Sequence, residues 1–449
     1  MTDAKSSSTA PSPADIVASE VEHVRQHYTG VMQTRRLLYI AQHAPASPAT
    51  TTAWQHIADT LNNNTNIALL QDVLAAAERS PPPVPLPVTH TTLSTLDAFH
   101  NSEVKGLDGQ LQAARRDGDR MLIYGALNGL AECHLRYGDY NNALLRWLEC
   151  REWATSARDV VDTCMRVVNC SVMLGSLSHI KNQVQRVRAI LQQEAAAAAE
   201  RAAGGGNPVA VTKEDEQLSA QLEACLGLFA LKTGAYQSAA MSFLSVTSAL
   251  SFPYVISLRD CTILASLCAL ASFSRSELRS RVLSNGEWRK NVDSCGEWRT
   301  ILSAYIDSDY NTTFQSLTAQ HGRLALLPPL ASHLPRLLRD IRGRAVCQYF
   351  IPYTALQLSV MASGLSMDVA EVEAMVGELI GDGRLQGRID KQRGLLVKKS
   401  KAGRRRMYEN ARRAGEKVVR EGRGLMMRMS LIECDIQLQK KRAEREAVL

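Results

Sequence analysis

His23 and His27 stand four residues apart in "EVEHVRQHYTG", a spacing that puts both rings on one helix face, where they could grip a metal ion. A zinc protease needs a glutamate directly after the first histidine to act as general base. Val24 occupies that place and no third ligand follows, so the two read as an exposed pair on an amphipathic helix. Ten cysteines are scattered along the chain without a single C-x-x-C pair. Cys164 with Cys170, and Cys261 with Cys268, fall in helical patterns among small apolar residues, which suits buried free thiols in a reducing compartment better than zinc or disulfides. The sequence contains no H-x-H, no phosphate-cradling glycine loop and no G-x-S-x-G elbow, and its many acids are not paired in a catalytic context. The expectation is a protein with no catalytic residues, metal or cofactor, and so not an enzyme.

A chain of this kind must work through its surfaces, and its 449 residues are too many for one compact core. Aromatic residues are only 5% while Ala and Leu dominate, which favours helices over sheets. Residues 1–18 are polar and read as a disordered arm, not a targeting peptide. The most apolar stretch, Thr262 to Phe273, is too short to span a bilayer and predicts a buried core helix. No membrane partner is expected.

Residues 19–212 predict N-terminal helical repeats. An amphipathic region over 20–43 turns near Gly30, and PPPVPLP at 81–87 is either a stiff linker or a ligand for an aromatic groove. In "LNGLAECHLRYGDYNNALLRWLEC", Leu127, Leu130, Ala131, His134, Gly138, Tyr140, Ala143, Trp147 and Cys150 have tetratricopeptide-like spacing. Small residues at Ala131 and Ala143 let two antiparallel helices cross closely, Gly138 makes the turn, and Tyr140 and Trp147 fill the space between pairs. The same offsets return at Leu226, Gly227, Ala230, Gly234, Tyr236, Ala239 and Phe243, with a weaker copy around Gly175 and Leu177. Between them lies an Ala/Gly insertion, 194–208, that begins as helix and ends in three glycines and a proline. Helices resume over 213–344.

Residues 345–400 outline a winged helix. Asp368 and Glu371 have capping-box spacing; Val369, Val372, Val376, Leu379 and Ile380 mark one apolar face ending at Gly383. Leu385 and Ile389 predict a first wing strand, Asp390 to Gly394 a turn, and Leu395 with Val397 a second strand, after a helix over Tyr349–Ala362 broken at Pro352. A winged helix that reads DNA needs cations on its recognition helix. From Met361 to Gly383 there is no Lys or Arg, while Asp368, Glu371, Glu373, Glu378 and Asp382 supply five acids. Phosphates would repel this helix, which argues against nucleic acid. The positive charge lies further on: Arg384 to Arg423 carries a local net of +11 in a chain of net charge +7. The basic patch Lys398, Lys399, Lys401, Arg404, Arg405 and Arg406 reads as a solvated linker and helix start, or as a contact for nucleic acid or an acidic protein. No aromatics are interleaved to stack bases.

Residues 401–449 are this basic linker and one long helix. Leu425, Met429, Ile432 and Ile436 recur at four, three and four residues, one heptad after Val418. That stripe can fold back on its own chain or enter a bundle with helices from other chains, and the methionines at 426, 427 and 429 suit adaptable packing.

Helical repeats running into a winged helix and a long last helix make up the PCI architecture of proteasome-lid, signalosome and initiation-factor subunits. "YTGVMQTRRLLYIAQHAP" (28–45), "SELRSRVLSNGEW" (276–288), "IRGRAVCQYFIPY" (341–353), "ELIGDGRLQGRID" (378–390) and "LMMRMSLIECDIQ" (425–437) resemble, in order, the signalosome members of that family. The resemblance covers nearly the whole chain from about residue 20, with 213–400 as the PCI domain. It implies a non-catalytic scaffold supporting cullin deneddylation, in cytoplasm and nucleus, with the isopeptidase in a separate metalloprotease subunit. Expected partners are the other PCI subunits and that metalloprotease, with cullin-RING ligases reached through the complex. It further implies an interface at Leu385, Ile389, Leu395, Leu396 and Val397, with the edge of the Leu395–Lys398 strand extending a neighbour's sheet, and a helix bundle gripping Leu425, Met429, Ile432 and Ile436. A proteasome-lid subunit and a nucleic-acid-binding PCI protein are the alternatives.

Overall fold

The structure, a computed structural model, describes residues 13–434 apart from 46, 63, 88–89, 204–212, 249, 294 and 400–402. The chain forms two compact units: Met1–Tyr349 with Ala362–Asp368, and Phe350–Met361 with Val369–Leu449.

The first unit is helical throughout its described residues. Its opening helix α1 (Pro13–His27) starts inside the stretch expected to be a disordered arm, and Val17, Val21 and Val24 bury its apolar face. Helices α2 (Gly30–His43), α3 (Pro48–Leu61) and α4 (Ile67–Arg79) close a core around Tyr28, Leu37, Ile40, Trp54, Ile57 and Leu70. Prolines at 81–87 leave no helix in that connection. Then come α5 (His90–Asp117), α6 (Arg120–Tyr137), α7 (Tyr140–Trp153) and α8 (Ala157–Met173), each packed on its neighbours in sequence as a repeat array requires. Leu127, Ala131, Ala143, Trp147, Val167 and Cys170 form their shared core.

Gly138 shows why the turn residue matters. Its φ is +86°, and a Cβ there would stand 2.3 Å from Asn66 Oδ1. Asn66 caps α4 by accepting from the Leu69 N–H at 2.9 Å, and its Nδ2 donates to the Tyr140 hydroxyl at 2.8 Å. One turn glycine thus lets the repeat dock on the preceding helix.

Helix α9 (Ile180–Ala203) comes next, and the second copy follows in α10 (Lys213–Lys232) and α11 (Tyr236–Leu244), with Gly234 at φ +75° in the turn. The Ala-rich half of the insertion continues α9 to Ala203; its glycines at 204–206 lie outside the described residues. Helix α12 (Leu258–Ser272) is buried at every position from Asp260 to Ala271, as the apolar run predicts. Short α13 (Arg275–Glu277) runs into a π-helical turn at Leu278–Leu283, followed by α14 (Gly286–Asp293), α15 (Gly296–Ile306), α16 (Tyr310–Ala325), α17 (Pro328–Ala331) and α18 (Leu334–Phe350).

A buried charge network ties the first helices to α12 and α16. Asp260 accepts from the Tyr28 hydroxyl at 2.5 Å and pairs with Arg36 Nη1 at 2.8 Å. His23 Nε2 sits 3.1 Å from Ser257 Oγ and 3.6 Å from Asp260. Burial alone would raise the Asp260 pKa, but Arg36, His23 and Tyr28 together hold it well below the usual carboxylate range. Glu20 pairs with Arg259 at 2.5 Å and with Arg323 at 2.6 Å. This corrects the reading of His23 and His27 as an exposed pair: the two rings stack at 4.5 Å, but His23 is 6% exposed and held in the network.

The second unit contains the wing. Strands β1 (Ala355–Gln357), β2 (Gly387–Asp390) and β3 (Leu395–Lys398) form an antiparallel sheet in the order β1-β3-β2. Leu396 faces Leu356 on one side and Ile389 on the other. Asp390 Oδ1 accepts from the N–H groups of Gln392 and Arg393 to make the tip turn. Helix α19 (Leu358–Leu365) precedes α20 (Val369–Gly381), whose Val372, Val376 and Leu379 are buried. The last helix, α21, covers Gly403–Glu433.

Candidate functional site: the wing and the last helix

The wing residues singled out by sequence divide into two kinds. Leu385 and Leu396 are buried, with Leu396 fully so, and they hold the unit's own core. Packing there is tight, since a Cβ at Gly387 would lie 2.9 Å from Leu396 Cδ1 and 3.5 Å from Leu385 Cδ2. Ile389 and Leu395 are half-buried, and Val397 is 40% exposed. Only these three present apolar surface outside. Leu385 itself precedes β2, and its N–H donates to the Leu379 carbonyl at 3.0 Å.

The expected strand edge needs correction. Leu395–Lys398 is the central strand, bonded to β1 through Ala355↔Val397 and to β2 through Arg388↔Val397. Its backbone is committed on both sides and cannot extend another sheet. The helix expected over Tyr349–Ala362 is broken at Pro352 as the sequence predicts, but a strand, not helix, follows the break. The helix ends at Phe350, ahead of the proline, and Ala355–Gln357 pairs as a strand. The edges are therefore β1 and β2, of which β2 carries alternating charge at Arg388 and Asp390.

Charge on the wing is partly spent inside the unit. Lys391 Nζ lies 2.8 Å from Glu373 of α20, and that hydrogen bond raises the lysine's pKa. Lys398 Nζ donates to the Ile351 carbonyl at 3.1 Å. Glu371 and Glu378 are exposed along α20, and Asp368 and Asp382 are exposed at its two ends, so this helix presents acid to solvent. Lys399 is exposed; Lys401 lies outside the described residues, and Arg404, Arg405 and Arg406 lie in the first turn of α21.

Helix α21 is exposed along nearly its whole length. Leu425 is 59%, Met429 61% and Ile432 75% exposed, and Val418, Met426 and Met427 are equally open. Among the described residues, nothing covers these side chains. Ile436 lies outside the described residues. Elsewhere on the helix, Arg412–Glu416 and Lys417–Glu421 pairs at i,i+4 support helicity without filling the apolar face. A monomer that leaves such a face in water presents a contact surface. Seven of the ten thiols are buried, and burial pushes Cys170, Cys225 and Cys268 up to about 12, which makes these three poor nucleophiles. No described helix is long and apolar enough to cross a membrane.

Residues 317–400 match the PCI domain family, and residues 90–281 match the family described as 26S proteasome subunit RPN7. Among curated proteins, the chain is 25% identical to COP9 signalosome complex subunit 1b of Drosophila melanogaster, over 93% of this chain and 86% of the relative. It is 24% identical to subunit 1 of the same complex in Emericella nidulans, over 93% of this chain and 83% of the relative. The Arabidopsis thaliana subunit 1 is also 24% identical, over 73% and 70%. Similarity to signalosome subunit 1 therefore extends across both units, and the fold seen here, helical repeats followed by a small winged-helix sheet, agrees with a PCI domain.

Proposed function

We propose that this chain is a non-catalytic scaffold subunit of a COP9 signalosome, supporting removal of the ubiquitin-like modifier from cullins and so regulating cullin-RING ligases. The observation that carries this reading is the similarity to signalosome subunit 1 along 93% of the chain, too much to be confined to the repeats or to the winged helix alone. The apolar face of α21 supplies the physical reason for assembly, since no described residue of this chain covers Leu425, Met429 and Ile432 and other chains would bury them. Other PCI subunits would cover that face and the wing, and the isopeptidase would sit in a metalloprotease subunit. The protein would act in cytoplasm and nucleus.

A proteasome-lid subunit is the second reading, favoured by the match of residues 90–281. That match ends before the winged helix, whereas the signalosome relatives continue through it. Native capture of the full-length protein, with partners identified by mass spectrometry, decides between them. A stoichiometric set of PCI subunits with a metalloprotease subunit supports the signalosome. Proteasomal ATPases in the same fraction would transfer the chain to the lid, and nucleic acid alone would overturn both.

A further inference from the structure

The first helical repeat brings together three metal-binding side chains that neither assembly surface uses. His100 comes from the middle of α5, His134 from the last turn of α6, and Asp139 is the N-cap of α7. His100 Nε2 is 3.2 Å from His134 Nδ1, which is 3.4 Å from Asp139 Oδ2. All three ligand atoms fall within 4.8 Å of one another. Ligand atoms bound to a tetrahedral zinc at about 2.0–2.1 Å stand roughly 3.3 Å apart, so two of the three edges of such a site are already formed. We propose that His100, His134 and Asp139 bind one divalent transition metal of the zinc class, with a fourth position open to water, and that the ion clamps α5, α6 and α7 together.

Proton accounting favours a cation here. If His134 Nδ1 carries its proton, the His100 nitrogen and the Asp139 carboxylate compete for that one N–H. If His100 donates instead, the Nδ1 lone pair of His134 faces the carboxylate with nothing between them. One divalent ion satisfies all three acceptors at once.

The surroundings hold the ligands in place. Asn142 Nδ2 donates to Asp139 Oδ2 at 2.6 Å, while Oδ1 accepts from the Asn142 N–H at 3.3 Å and so caps the helix. The His100 ring packs at 4.8 Å on Tyr137, whose hydroxyl donates to Glu103 at 3.1 Å. Arg146 acts on His134 as a cation but pairs with Asp108 at 3.9 Å and Glu149 at 3.4 Å. His100 and Asp139 are half-buried, which leaves an entry path.

The test uses full-length protein stripped by a chelator and titrated with Zn²⁺ against a chromophoric competitor, with Co²⁺ as a spectroscopic probe. One equivalent should bind, and His100→Ala and Asp139→Asn should each weaken it by about tenfold or more at unchanged helicity. Asn remains a good N-cap, so the second variant spares α7. Co²⁺ should give the intense visible bands of tetrahedral coordination in the parent only. Zinc held equally by the parent and both variants, or no zinc bound by the parent, would overturn the site.

Discussion

Gly227 is defined by what stands opposite it. A Cβ there would lie 2.4 to 2.7 Å from three atoms of the fully buried Phe243 ring, so α10 and α11 cross at a distance only glycine permits. Gly227→Ala should therefore destabilise by about 1–3 kcal/mol through overpacking, even though alanine gains about 1 kcal/mol in helix propensity. Gly109, inside α5, has open space around its Cα, and Gly109→Ala should stabilise by roughly 0.5–1 kcal/mol. Urea unfolding of the two variants makes the comparison, with Phe243→Leu expected to relieve Gly227→Ala. Equal stability of the two alanine variants would mean the helices are free to separate. Gly227 was legible because repeat spacing is local in sequence. The Tyr28–Asp260 bond was not, since its partners are 232 residues apart and nothing in either neighbourhood announces the other.

At the scale of elements, periodicity identified α12, α20 and the repeat helices, while the wing was read with one strand too few. Three residues, Ala355–Gln357, are too short to show alternation, and pairing with Leu395–Val397 defines them as a strand. Helix α21 shows the opposite case, in which the pattern is plain and the structure leaves it uncovered. Because Leu425, Met429 and Ile432 are exposed, changing all three to Asp removes no internal packing. The triple variant should keep its helicity and unfolding midpoint yet leave the assembly, recovered as free chain in native capture. Normal yield of the complex with this variant would show that the face is not the anchor. By contrast Leu396→Ala, in the wing core, should cost about 2–5 kcal/mol and disturb the unit itself.

Across the whole molecule, stability is a sum of neighbour contacts along the repeats, and its response to acid follows from which histidines those contacts bury. His134 and His333 both have lowered pKa values, each chiefly through burial, with Arg336 adding to the effect at His333. A base whose folded pKa is depressed takes up its proton first in the unfolded chain. Stability is then fully present above the unfolded value of about 6.5 and declines as pH falls below it. Asp260 adds nothing in that window, because its carboxylate stays ionised to far lower pH. The urea midpoint should accordingly be lower at pH 5.5 than at pH 7.5, and His134→Gln should shrink the difference. Chelator must be present throughout, because a metal on His134 would be displaced by the same protons and produce a fall of the same sign. A midpoint that does not change across this range in metal-free buffer would mean that neither histidine resists protonation in the folded repeats. A fall seen only when zinc is present would instead assign the whole pH response to the ion at His100, His134 and Asp139.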